Sequence, residues 1–183
     1  MSAIQTNGEE VIFHPIANDR LACPLGYLKA EHGRQRAICR YFKDADVFAR
    51  MCEGEGLEDV KRLYVFLTDQ LPLHVKDEQD GLFPLLARHA NEDEKEVREA
   101  IRFLRREQEF DKDLIDFILA DLKTLLKGRK LVNSLRLELN LDTLLEGLCR
   151  HSKWEAESLL PIAEKILGPE VRQEVKSRMQ SWR

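Results

Sequence analysis

A chain of 183 residues, 43% hydrophobic and 34% charged, has the composition of a globular domain with room for a sizeable core. Its net charge of −4 excludes sequence-independent binding to DNA or RNA, which needs a basic face. No apolar run approaches the roughly 20 residues of a membrane span, and Met1 to Asp19 lacks the basic start and apolar stretch of a signal peptide. A cytoplasmic protein without membrane or nucleic-acid partners is therefore expected. Few glycines and prolines, most of them where helices begin, bend or end, point to an all-α fold.

In chain order, residues 1–19 show no helical period and are expected to form an extended or loosely held arm ahead of a domain over 20–183. Pro24 is placed for a first helical turn. The stripe Leu25, Leu28, His32, Cys39, Phe42 then predicts a helix, with Gln35 its polar exception, running past Phe48 to a stop at Gly54 and Gly56. A second helix starts near Leu57 with the stripe Val60, Leu63, Leu67, Leu71, His74, Glu78. Pro72 should bend it, and Gly81 and Pro84 disturb its far end. Asn91 or Asp93 can cap a third helix, whose stripe runs Val97, Ile101, Leu104, Gln108, Asp111, Ile115, Ile118, Leu122, Leu125 to a stop at Gly128. A fourth begins within residues 131–135, carries Leu141, Leu144, Leu148, His151 and Glu155 on one face, and ends at Gly168-Pro169. A short fifth helix with Val171, Val175, Met179 and Trp182 on one side should pack back onto the rest. Cys23, Cys39, Cys52 and Cys149 form no Cys-x-x-Cys pair and read as buried, reduced thiols.

The second and fourth helices share a motif. His74-Val-Lys-Asp-Glu78 is followed by Leu82-Phe83-Pro84, and His151-Ser-Lys-Trp-Glu155 by Leu159-Leu160-Pro161. Both copies are His-x-Lys-x-Glu-x-x-x-Leu-(Phe/Leu)-Pro. A His and a Glu four apart on a helix share one face and can chelate one cation. The first and third helices also correspond: Tyr27-Leu-Lys-Ala-Glu-His32 resembles Phe103-Leu-Arg-Arg-Glu-Gln108. Two copies of a helix pair predict an up-down-up-down four-helix bundle with a pseudo-two-fold internal repeat.

A lone His on an apolar face is usually a core histidine with a hydrogen-bond partner. A buried carboxylate is harder to accommodate, because it costs several kcal/mol or takes up a proton. Two Glu on apolar stripes, each one turn from a His and with no Lys or Arg on the stripe, are best neutralised by cations. Imidazole with carboxylate and no thiolate suits iron or manganese better than structural zinc, and Glu can bridge two ions.

At these residues the chain resembles the hemerythrin-like, or HHE cation-binding, family over about residues 20–167. The resemblance implies a non-haem di-iron centre with His32, His74, Glu78, His151 and Glu155 as ligands, the two Glu bridging. One departure is Gln108, where the family pattern has a His. An amide oxygen is a weak neutral ligand, so Gln108 is expected to hold that iron less tightly, or Glu107, Asp111 or a water held by Gln108 to complete the position. His14 and His89 are expected to be exposed, and Trp154 to be a packing residue. The functions that follow are binding or sensing of dioxygen, a related oxidant or iron; a ferroxidase or a peroxide- or nitric-oxide-consuming enzyme; or a metal-free bundle serving as an interaction module.

Overall fold

The computed structural model describes residues 11–91 and 95–183, and among these there are helices and connections but no strand. Pro24 opens α1 (Pro24–Phe42), where its fixed φ suits the first turn and its missing N–H costs nothing. The helix does not run past Phe48 as the apolar stripe predicts. It stops at Phe42, and α2 (Ala45–Glu53) starts anew because the Asp44 carboxylate accepts hydrogen bonds from the backbone N–H of Asp46 (2.9 Å) and Val47 (3.3 Å). A cap that satisfies two amides of a new first turn outweighs continuation of the old one. Gly54, at φ 91°, closes α2 in the left-handed conformation that disfavours any β-carbon.

The next stretch is α-helical over α3 (Leu57–Val65), α4 (Leu71–Lys76) and α5 (Phe83–His89), joined by π-helical turns over Phe66–Gln70 and Asp77–Leu82. Pro72 and Pro84 disturb this helix as expected, and the disturbance takes the form of these wide turns. In each case the residue before the proline donates its N–H five residues back, Leu71 to Phe66 and Phe83 to Glu78. The larger turn relieves the collision between the proline ring and the carbonyl four residues earlier. The carbonyl freed at Asp80 accepts instead from Arg178 Nη1 at 3.1 Å.

The longest helix, α6 (Lys95–Leu126), buries Val97, Ile101, Leu104, Asp111, Ile118, Leu122 and Leu125. Of its two expected caps, Asp93 lies outside the described residues, and the Asn91 carbonyl accepts from Arg98 at 3.2 Å. Gly128, at φ 67°, turns the chain. Asn133 caps α7 (Ser134–Trp154) through the Arg136 N–H. A third π turn over Glu155–Leu159 precedes α8 (Leu160–Ile166), with Leu160 N–H bonded to the Glu155 carbonyl and Pro161 next in line. Gly168-Pro169 then starts α9 (Pro169–Gln180).

The described part of the arm is packed rather than loose. Phe13 lies edge-on against Tyr41 and Phe42 at 5.2 and 5.7 Å, and Ile16 N–H donates to Glu31 at 3.2 Å. At the other end α9 buries Val175 and Met179, and the chain closes on Asp77. Trp182 Nε1 donates to Asp77 Oδ1 at 2.9 Å, Arg183 pairs with both carboxylate oxygens, and its guanidinium lies 5.2 Å from the centre of the Tyr27 ring. Asp77 is 1% exposed, so this ion pair is a buried one. Among the cysteines, Cys39 is buried, Cys52 and Cys149 are half-buried, and Cys23 is exposed, contrary to expectation, because it sits outside α1 as its N-cap.

Two apolar clusters form the core. One gathers Leu28, Leu82, Phe83, Leu104 and Leu159, the other Ile38, Leu71, Ile118 and Leu148. Along each contributing helical run the polar buried residues fall between the two sets: His32 and Gln35, His74 and Glu78, Asp111, then His151 and Glu155. The protein thus carries a polar layer sandwiched between two oily ones.

Candidate metal centre

The layer brings four side chains to one point. His32, His74, Glu78 and Glu155 are 1%, 5%, 2% and 3% exposed, and one donor atom from each lies within 4.8 Å of every other. His32 Nε2 is 2.9 Å from Glu78 Oε1 and 3.2 Å from Glu155 Oε2; His74 Nε2 is 3.0 Å from Glu78 Oε1. Donors held about 2.1 Å from a common cation and at right angles to one another stand about 3 Å apart, so the spacing matches the edges of a coordination shell. The π turns belong to this geometry, since Glu78 and Glu155 are the residues whose carbonyls accept the wide-turn bonds. Single π turns are frequent at functional sites because they re-aim a side chain without ending the helix.

The electrostatics of the cluster are those of carboxylates in need of a positive charge. Burial opposes a charge on His32, but its hydrogen bonds to Glu155 and Glu78 prevail and raise its pKa to about 9. Burial also favours protonated Glu78, yet His74 and His32 together hold it well below the usual carboxylate range. Glu155 is pushed up to about 7 by burial and by the Glu78 charge. Both upward shifts are those of a cluster that favours a positive charge, proton or cation, between His32 and the carboxylates. Glu155 Oε1 remains buried with no hydrogen-bond partner, and so does Gln35 Nε2. A buried carboxylate oxygen without a protein partner is able to take a ligand.

The other residues singled out in the sequence lie around this point. His151 is buried but its Nε2 faces the Glu107 carboxylate, which also accepts from Arg150 at 2.9 Å. Burial lowers the His151 pKa, opposed by Glu107 and reinforced by Arg150. Gln108 reaches the cluster by its nitrogen: Nε2 donates to Glu78 Oε2 at 2.7 Å while Oε1 accepts from Gln79 at 2.7 Å. Its amide oxygen thus faces Gln79, and its nitrogen the cluster. Asp111, 8% exposed, is pushed up to about 6 by burial and by Glu107. His14 and His89 are exposed, and Trp154 is 39% exposed at the surface rather than packed inside. A cavity of about 260 Å³ opens onto Gln35, His74, Glu78, Asp111, His151 and Glu155.

Sequence reasoning missed Gln79, which orients Gln108, because it sits off the apolar stripe. Gln35 carried a signal as the polar exception in α1. Glu31, beside His32, is buried against Arg34 at 2.8 Å and does not face the cluster.

No match was found among curated proteins or among solved structures. The sequence does match a family model, the hemerythrin HHE cation-binding domain, over residues 23–163. With that match covering most of the chain, and a buried His and Glu cluster of the kind that holds a cation, the protein belongs to the hemerythrin HHE cation-binding family.

Proposed function

We propose that this is a cytoplasmic, dinuclear non-haem iron protein that binds or senses dioxygen or a related small oxidant, built as an up-down-up-down four-helix bundle with a pseudo-two-fold repeat. The observation that carries the reading is the four-residue cluster with an unpartnered carboxylate oxygen beside a cavity. His32 and His74 would hold one metal ion and His151 with Glu107 a second, with Glu78 and Glu155 contributing carboxylates to the centre. The donor set of imidazole and carboxylate favours iron, with manganese as the substitute. Bound iron would supply one-electron chemistry and an affinity for dioxygen that no side chain here has. The chain's own residues bind and orient: Gln108 steadies Glu78, and Gln35 offers an amide N–H to a ligand in the cavity.

A second reading, a di-iron oxidoreductase acting as a ferroxidase or consuming peroxide or nitric oxide, has one observation in its favour. Asp111 lies on the cavity with its pKa pushed up to about 6, which suits a group that exchanges protons near neutral pH. Reversible uptake of oxidant distinguishes the binder from the enzyme, which turns over. A metal-free interaction module would show no metal at all.

The test is metal content by elemental analysis, with optical spectra under air and nitrogen. Iron should be present in the parent and fall sharply in Glu78→Gln and Glu155→Gln, whose amides cannot bridge as anions. It should be unchanged in His14→Ala and His89→Ala, which alter exposed residues. Equal iron in all four variants would reject the assignment.

A further inference from the structure

Helix α6 has a second apolar stripe on the side away from the core. Phe103, Phe110 and Phe117 recur every seventh residue and are 59%, 62% and 57% exposed. They line about 21 Å of helix, and each leaves on the order of 100 Å² of ring uncovered. Trp154 on α7 shares a surface groove with Phe103 and Glu107, and Thr143 and Gly147 share another with Phe110. Contiguous apolar area on this scale marks an interaction site.

The sequence repeat shows that the first half of the chain treats the same position differently. Phe103 corresponds to Tyr27, which is 5% exposed beneath Arg183 at the chain's C-terminal end. Among the described residues no comparable segment covers Phe103.

The charges beside the stripe identify its occupant. Arg102 and Arg106 flank its N-terminal half and Asp113 and Asp116 its C-terminal half, all four on one flank of the stripe and all exposed. A two-fold axis through Phe110, relating two antiparallel α6 helices, sets Phe110 on its own copy and Phe103 on Phe117. The same axis brings Arg106 within one residue of register with Asp113 of the second copy, and Arg102 within two of Asp116. A parallel pairing would set like charges together. Self-complementarity of this kind is what an isologous dimer needs.

We propose that the α6 face is a homodimer interface, with a second copy of this chain docked antiparallel about Phe110. The dimer covers the surface through which Glu107 and His151 are reached. The interface needs no metal, so its failure leaves the metal reading untouched.

Sedimentation equilibrium of the full chain from low to high micromolar concentration tests it, with circular dichroism to establish that each variant is folded. The parent should dimerise. Phe110→Glu, at the axis, should weaken association about a hundredfold. Arg106→Asp should weaken it about tenfold by facing Asp113 of the second copy, and adding Asp113→Arg should restore it. A parent that is monomeric throughout overturns the proposal, whether because nothing docks there or because a different protein does. So does association that is indifferent to Phe110→Glu, or a charge swap that fails to restore it.

Discussion

Stripping the cation should make the protein's stability fall as pH rises, and restoring it should reverse the trend. The His32 pKa, ordinarily 6.5, is raised to about 9, and that of Glu155, ordinarily 4.5, is raised to about 7. Both groups hold a proton more tightly folded than unfolded. The stability this gives is fully present below the unfolded values and is lost as pH climbs through the folded ones. The window therefore opens near 4.5 for Glu155 and closes near 9 for His32. Taken alone, either displacement corresponds to about 3 kcal/mol. The two groups share a hydrogen bond, so their protons are not independent, and the total stays near the single value rather than twice it. For a domain of this size, about 3 kcal/mol shifts the melting temperature by roughly 6–12 °C. Glu78 acts in the opposite sense, but its depressed pKa places its contribution below the window, where acid would protonate it. A bound cation needs neutral His32 and ionised Glu155, so its stabilising effect grows over the same range. Thermal melts followed by circular dichroism from pH 5 to 9, with chelator and with iron, should show the two melting temperatures diverging. A gap independent of pH would refute the shared-proton cluster.

Gln108→His replaces an amide that donates to Glu78 with an imidazole able to ligate. Iron per chain should rise and oxidation by dioxygen should slow; no change in either would remove Gln108 from the centre. Asp77→Asn leaves Arg183 in a buried site without its carboxylate, which should cost about 3 kcal/mol and lower the melting temperature. A melting curve identical to the parent's would show that the closing contact contributes nothing.

Much of this was legible in the chain. The apolar stripes placed the helices, because burial of one face is what makes a helix worth forming in a globular protein. The paired His-x-x-x-Glu motifs marked the layer, because helical spacing alone puts the two side chains on one face. Helix ends set by a single side chain were harder: Asp44 divides α1 from α2, and its capping bonds compete with a stripe that continues in sequence past Phe48. The prolines announced irregularity but not its form, since a kink and a π turn both relieve the same collision.

What periodicity could not supply was the partner across the gap between helices. It placed His151 on the same face as Glu155, yet in the fold His151 turns to Glu107 while Glu155 turns to His32. It gave Gln108 an inward position but not the choice between oxygen and nitrogen, which Gln79 decides from a neighbouring helix. Asp77 lies off the His-x-x-x-Glu face of its helix, and Arg183, distant in the chain, folds onto it and pairs with it in a buried site. Which residues share a face follows from local helical geometry and is written in the residue order. Which faces meet depends on packing between segments distant in the chain, and emerges only in the fold.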